Sequence, residues 1–97
     1  MENLVLTIND IELPLVGFAE TLVDANKATQ RPEAYARFKD RSILTNDVLK
    51  NLMQTGINTL VLTRDESVIW TGDNYSSILR LSFDINEYGE EYSLVIV

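Results

Sequence analysis

Ile78-Leu79-Arg80-Leu81-Ser82-Phe83-Asp84-Ile85, then a polar stretch over residues 86–90, then Tyr92-Ser93-Leu94-Val95-Ile96-Val97: this terminal segment decides the fold. Alternation puts Leu79, Leu81, Phe83 and Ile85 on one face and Ile78, Arg80, Ser82 and Asp84 on the other, the pattern of a half-buried antiparallel strand. Asn86 and Gly89 supply turn geometry. In the last stretch Tyr92, Leu94 and Ile96 face one way and Ser93, Val95 and Val97 the other, which predicts a strand buried on both faces near its end. The chain just upstream reads in the same way. Residues 59–63 alternate with Leu60 and Leu62 on one face, residues 64–67 turn, and residues 68–71 return with Val68 and Trp70 together, so that Trp70 is assigned to the core. Gly72-Asp73-Asn74 turns the chain once more.

At the other end, Leu4-Val5-Leu6-Thr7-Ile8, the pair Asn9-Asp10 and Ile11-Glu12-Leu13-Pro14-Leu15-Val16 read as an opening hairpin, with Leu4, Leu6 and Ile8 on one face and Ile11, Leu13 and Leu15 on one face of the returning strand. Pro14 lacks an N–H and belongs on an edge or at a bulge. Residues 18–28 fit two periods: Phe18, Ala19, Leu22 and Val23 have helical spacing, whereas Phe18, Glu20, Leu22 and Asp24 alternate, and strand is the preferred reading. A polar loop is expected over 26–32, because Pro32 biases Arg31 toward extended geometry. Tyr35-Ala36-Arg37-Phe38-Lys39 could then pair back, giving a hairpin with a long basic loop. The clearest element is a helix over 46–55. Thr45 caps it, Asp47 puts a carboxylate in its first turn, Leu44 and Leu49 occupy the staple positions, and Val48, Leu49, Leu52 and Met53 form an apolar stripe ending at Gly56. The reading is therefore one α+β domain over 1–97, mainly antiparallel β, with about six strands in hairpins forming a sheet or sandwich and one amphipathic helix.

The chain carries 15 acidic and 8 basic residues and no Cys or His. Disulfides, Cys/His zinc sites and Ser-His or Cys-His catalytic pairs are excluded. There is no G-x-G-x-x-G, no G-K-[ST] and no G-x-S-x-G, so the chain is not expected to be an enzyme or to hold a cofactor. The stretch 1–10 has no Lys or Arg, and the apolar run 4–8 is too short for a signal peptide or a membrane span, so the expectation is a cytoplasmic product. Asn74-Tyr75-Ser76 matches a glycosylation sequon without the secreted context that it needs. Asp84-Ile85-Asn86-Glu87-Tyr88-Gly89 has the first ligands and the glycine of a calcium loop. Tyr88 and Val95 stand where the fifth and twelfth ligands should be, so a hairpin turn is the better reading.

Charge is unevenly distributed. Residues 1–26 have five acids and no base, residues 27–41 have five bases and two acids, and residues 65–97 have seven acids and one base. Such a chain repels nucleic acid overall. Two sets of contact residues are expected: a basic patch of Lys27, Arg31, Arg37, Lys39 and Arg41, and an acidic, aromatic edge of Tyr75, Tyr88, Glu87, Glu90 and Glu91, the last three read as exposed. If the two project on different sides, copies can meet head to tail, and the oligomer would dissociate in high salt. The plain alternative is a solvated basic face pairing locally with Glu33 and Asp40.

In layout, the opening Leu-Thr-Ile-Asn-Asp-Ile-Glu-Leu-Pro-Leu, the helix Leu-Thr-Asn-Asp-Val-Leu, the strand Asn-Thr-Leu-Val-Leu-Thr and the terminal β-hairpins, the chain resembles small tail or baseplate-type structural proteins of bacteriophages. That resemblance implies a non-enzymatic subunit that assembles with copies or neighbours, is incorporated into a virion and has protein partners or itself as partner, while the acidic balance predicts no nucleic-acid partner and the short apolar runs no membrane. The competing class is an acidic inhibitor that mimics phosphates in the groove of a nucleic-acid enzyme, as anti-restriction or anti-CRISPR proteins do. The basic stretch weighs against uniform mimicry and favours assembly.

Overall fold

The computed structural model describes residues 3–24, 30–73, 75–87 and 89–97, and leaves the side chains of 22–24, 30 and 31 outside that description. Among the described residues there are eight strands and one helix. In chain order they are β1 (Leu4–Ile8), β2 (Ile11–Pro14), β3 (Gly17–Asp24), β4 (Gln30–Phe38), α1 (Asn46–Thr55), β5 (Leu60–Arg64), β6 (Ser67–Thr71), β7 (Ile78–Asn86) and β8 (Gly89–Ile96). They build two four-stranded antiparallel sheets, ordered β2-β1-β5-β6 and β3-β4-β8-β7. The expected α+β class, mainly antiparallel, is what the chain adopts. The strand count exceeds the expected six because β3 and β4, the ambiguous segment and its weakly alternating partner, are both full strands.

Each local element follows from its residues. Asn9 takes φ 54°, so the two-residue connection Asn9-Asp10 closes β1 on β2. Asp65 and Glu66 both have positive φ, at 50° and 72°, and join β5 to β6 in the same way. Pro14 ends β2, an edge strand, where its missing donor costs no ladder bond. The chain then changes sheets within two residues: Leu15 N–H still donates to Leu4 O at 2.8 Å, while Val16 N–H donates to Arg37 O at 2.8 Å. The helix has the expected bounds. Thr45 Oγ1 accepts from Val48 N–H at 3.4 Å, and Gly56, at φ 83°, returns its N–H to Leu52 O at 2.8 Å. Leu44, Leu49 and Leu52 are buried, whereas Met53 faces solvent at the margin of the stripe.

The sheets face each other across one core that draws Leu6, Ile8, Leu13, Leu60 and Leu62 from one and Ala34, Ala36, Phe38, Leu94 and Ile96 from the other, with the helix leucines added. Phe18 of β3 meets Trp70 of β6 at 4.8 Å between ring centroids, joining the two sheets through aromatic packing. Val95 is also buried, so β8 is covered on both faces near its end, as its sequence predicts.

Three local expectations need correction. Residues 30–32 extend β4 and are not loop: Pro32 lies opposite Leu22 of β3, and β8 joins β4 only from Ala34, so Pro32 has a ladder on one side alone. Val68 and Trp70 do not share a face. Trp70 pairs with Leu62 and Val68 with Thr63, an extra residue on β6 shifts the register, and Val68 points outward. In β7 the register also shifts between Ile78 and Arg80, which leaves Ile78 buried beside Ile96 and turns Leu79 out.

Candidate interaction surface

The basic and acidic segments meet inside one chain, because β4 and β8 are neighbouring strands. Arg37 Nη1 lies 3.1 Å from Glu91 Oε1, and Asn86 Nδ2 donates to the other carboxylate oxygen at 3.0 Å. Glu91 is buried at 7% exposure, a position that only a paired carboxylate tolerates, while the Arg37 side chain remains about half exposed. Gly17 lies opposite Arg37, and a Cβ there would come within 2.2 Å of Arg37 Nη2, so the guanidinium occupies the space that glycine leaves open. Asp84 of β7 stands directly opposite Glu91 of β8 and adds negative potential that the arginine offsets. Arg41 is likewise used within the chain: Nε donates to Leu44 O at 3.1 Å, Nη2 donates to Asn46 Oδ1 at 2.6 Å, and the guanidinium lies 5.6 Å from the centre of the Tyr92 ring.

These contacts correct the expected site. Glu91 is buried and not exposed, and Arg37 and Arg41 hold the hairpin and the start of the helix. The local acids expected to pair with the basic face have other partners: Glu33 accepts from the Tyr35 hydroxyl at 3.1 Å, and Asp40 accepts from the Ser42 N–H at 2.9 Å. The bond to Glu33 raises the Tyr35 pKa, and the Ser42 hydroxyl and N–H lower that of Asp40. Lys39, Glu87 and Glu90 are exposed. Tyr88, Lys27, Asn74 and the segment 25–28 lie outside the described residues, as does the side chain of Arg31.

Tyr75 is the second correction. Expected as an exposed contact, it is buried, its hydroxyl donates to Glu20 Oε2 at 2.5 Å, and its ring lies 5.5 Å from that of Trp70. Desolvation first, and the Glu20 carboxylate second, push its pKa well above the ordinary tyrosine value. Gly72 makes room for this cluster, since a Cβ there would meet Tyr75, Trp70 and Leu60 at 2.7 to 2.9 Å.

Large apolar side chains are also exposed, among them Val68 and Ile69 on the edge strand β6 and Leu79, Phe83 and Ile85 on the edge strand β7. On β7, an edge strand of nine residues, Leu79, Phe83 and Ile85 are 49%, 49% and 73% exposed. Phe83 packs at 5.1 Å on Tyr92, which stacks in turn at 5.5 Å on Phe38, so the exposed ring sits on a supported aromatic stack. Sequence periodicity read these residues as core. The β7–β8 hairpin runs past the end of β4: pairing with β8 starts at Phe38 opposite Tyr92, while Ile85 lies opposite Glu90 further out. Arg80, Ser82 and Asp84 mark an outward face, as polar residues do on any half-buried strand, and no signal in the sequence marks β7 as an edge.

Elsewhere an open concavity of about 330 Å³ lies on the outer side of β1 and β5, lined by Asn3, Val5, Thr7, Glu12, Thr63 and Glu66. Among the described residues no group of three or more acidic side chains is gathered to hold a metal, and no helix is long and apolar enough to cross a membrane. No family model, curated protein or solved structure matches the chain.

Proposed function

We propose that this protein is a non-enzymatic assembly subunit, a small structural component of a larger particle of the phage type, and that it works through stable protein contact along β7. The observation that carries this reading is the length and apolar exposure of that edge. Proteins generally blunt their sheet edges with short strands, proline, charge or bulges. The β2 edge is four residues long and ends in Pro14, the β6 edge is five residues long and bulged, and the β3 edge, eight residues long, exposes Ala19, Glu20 and Thr21 and no large apolar side chain among its described ones. In β7 the register shift lies at the start of the strand, and from Arg80 to Asn86 its pairing is regular. Its free backbone groups and exposed Phe83 and Ile85 form a template for one more strand.

The test is the size of the native species in a cell extract. The chain should run in a complex of at least twice its own 11.0 kDa, and Ile85→Lys, at an exposed position that leaves the core intact, should release it to its own mass. A chain that runs alone, or a complex unchanged by Ile85→Lys, would refute the reading. One observation favours the acidic inhibitor as a second reading: Arg37 and Arg41, two of the five bases in the basic stretch, are engaged inside the fold. In that case the extract partner is a basic nucleic-acid enzyme, and its release follows salt instead of Ile85→Lys.

A further inference from the structure

We propose that the partner of the β7 edge is a second copy of this chain, paired antiparallel through β7 about a twofold axis at Ser82. This inference rests on the reading of β7 as a contact edge and names its occupant. Along a strand, alternate residues turn their N–H and C=O toward one neighbour and the intervening residues toward the other side. One set in β7 is engaged with β8, and the other faces the free edge. Two identical edges can therefore pair only by bringing residues of the same set face to face, which places the axis on a residue pair and not between pairs.

Among the registers that remain, the one centred on Ser82 matches the chemistry of β7 from Arg80 to Asp84. Arg80 stands opposite Asp84 of the other copy, and Asp84 opposite its Arg80, so one register makes two opposite-charge pairs. Leu81 stands opposite Phe83 twice, and beyond them the exposed Ile85 of each copy lies at the end where the other presents its exposed Leu79. Centring on Leu81 would face Arg80 with Ser82 and bury Ile78 against Asp84. Centring on Phe83 would face Arg80 with Asn86 and Ser82 with Asp84. The Ser82 register alone pairs both charges, and opposite charges placed directly across an antiparallel pair stabilise it while like charges do the reverse.

Side chains opposite each other lie on the same sheet face, so Arg80 and Asp84 meet on the outer side, and Phe83 and Leu81 meet on the side of the core. The result is a continuous eight-stranded antiparallel sheet, β3-β4-β8-β7 followed by its copy in reverse, with the self-complementary interface that twofold dimers require. It covers Phe83 and removes the edge.

The experiment uses the purified full chain and two charge reversals, Arg80→Glu and Asp84→Arg, with molar mass read by light scattering between about 5 and about 500 μM, the range suited to a contact smaller than a standard interface. The wild type is expected to dimerise. Each variant alone faces like charges twice and should weaken dimerisation at least about tenfold. Mixed in equal amounts, they restore opposite charges at both pairs and should form a heterodimer of wild-type affinity. Asp84→Arg also removes the like-charge neighbour of Glu91, so it keeps its fold, and melting of both variants like that of the wild type at a concentration dilute enough for all three to be monomeric separates loss of contact from loss of structure. A wild type that stays monomeric over the whole range overturns the second copy as partner; if Ile85→Lys still releases the chain from its extract complex, the contact-edge reading stands without it. A wild-type dimer that neither reversal weakens, or variants that fail to combine, overturns the Ser82 register.

Discussion

Replacing Arg37 by Met tests whether the seam between β4 and β8 is a structural pin or a surface decoration. At 3.1 Å and an effective dielectric of about 20, the attraction between Arg37 and Glu91 is about 5 kcal/mol before desolvation is counted. Burying the Glu91 carboxylate offsets several kcal/mol of this, and the half-exposed guanidinium is screened by water, so the net coupling should be about 1 to 2 kcal/mol. Arg37→Met leaves a buried carboxylate with Asn86 as its remaining donor and Asp84 across the strand, and should cost about 2 kcal/mol. For a chain of this length that is about 10 °C in Tm. Glu91→Gln should cost about 1 kcal/mol, since the amide oxygen still accepts from Asn86. Urea denaturation of the wild type, the two single variants and the double variant gives the coupling directly. Gly17→Ala displaces the same guanidinium without touching its charge, so it should weaken the fold less than Arg37→Met and lose its effect in that background. A coupling below about 0.5 kcal/mol would refute the reasoning and return Arg37 to the set of free contact residues.

Gly72→Ala should lower stability by about 1 to 3 kcal/mol in thermal melts, because its methyl must displace the buried Tyr75, Trp70 and Leu60 side chains; an unchanged Tm would mean that this cluster is loosely packed. Asn9→Ala should cost about 2 to 3 kcal/mol, since it removes the bonds from Asn58 N–H at 2.8 Å, from Thr59 N–H at 3.2 Å and to Gly56 O at 3.2 Å and places alanine at φ 54°, whereas Asn9→Gly should lose less. Tyr75 ionises in the unfolded chain near pH 10 but stays protonated to a higher pH when folded, so its contribution is present below pH 10 and is lost as pH rises above it. Tyr75→Phe should therefore shrink the loss of stability measured by urea titration between about pH 9.5 and about pH 11, and parallel curves for the two proteins would refute the assignment.

Local chemistry made part of this fold readable in advance. The helix was legible to the residue because cap, staple, stripe and terminating glycine all act within one short segment, and the Asn9-Asp10 hairpin was legible because its turn lies between two alternating runs. Register shifts were not legible. Nothing in Val68-Ile69-Trp70 announces an extra residue, since a bulge is defined by the partner strand, and β5 is separated from it only by a turn that fits either register. Part of the candidate site was misplaced for the same kind of reason. Tyr75 and Glu91 have the chemistry of contact residues, yet the sheet order brings Glu20 to one and Arg37 to the other. Phe83 and Ile85 have the chemistry of core residues, and only the topology leaves β7 without an outer neighbour. Periodicity tells which side chains share a face, but not whether another strand covers it.

The same geometry reverses the sign expected for salt. Charged segments meeting head to tail would make an oligomer that high salt dissolves. A β7–β7 contact is held mainly by backbone bonds and apolar side chains, and it must bring together two bodies of net charge −7 each, about 30 Å across. At that separation in pure water their repulsion is about 7 kcal/mol, and at about 0.01 M salt, where the screening length is about 30 Å, it falls to about 2 to 3 kcal/mol. At about 0.15 M the screening length is about 8 Å and less than about 1 kcal/mol remains, while the contact pairs Arg80 to Asp84 lose far less because they sit well within that length. Association measured by light scattering should strengthen roughly tenfold or more between those two salt concentrations and change little beyond. A dimer that weakens steadily over the same range would show that charge, not the β7 edge, holds it together.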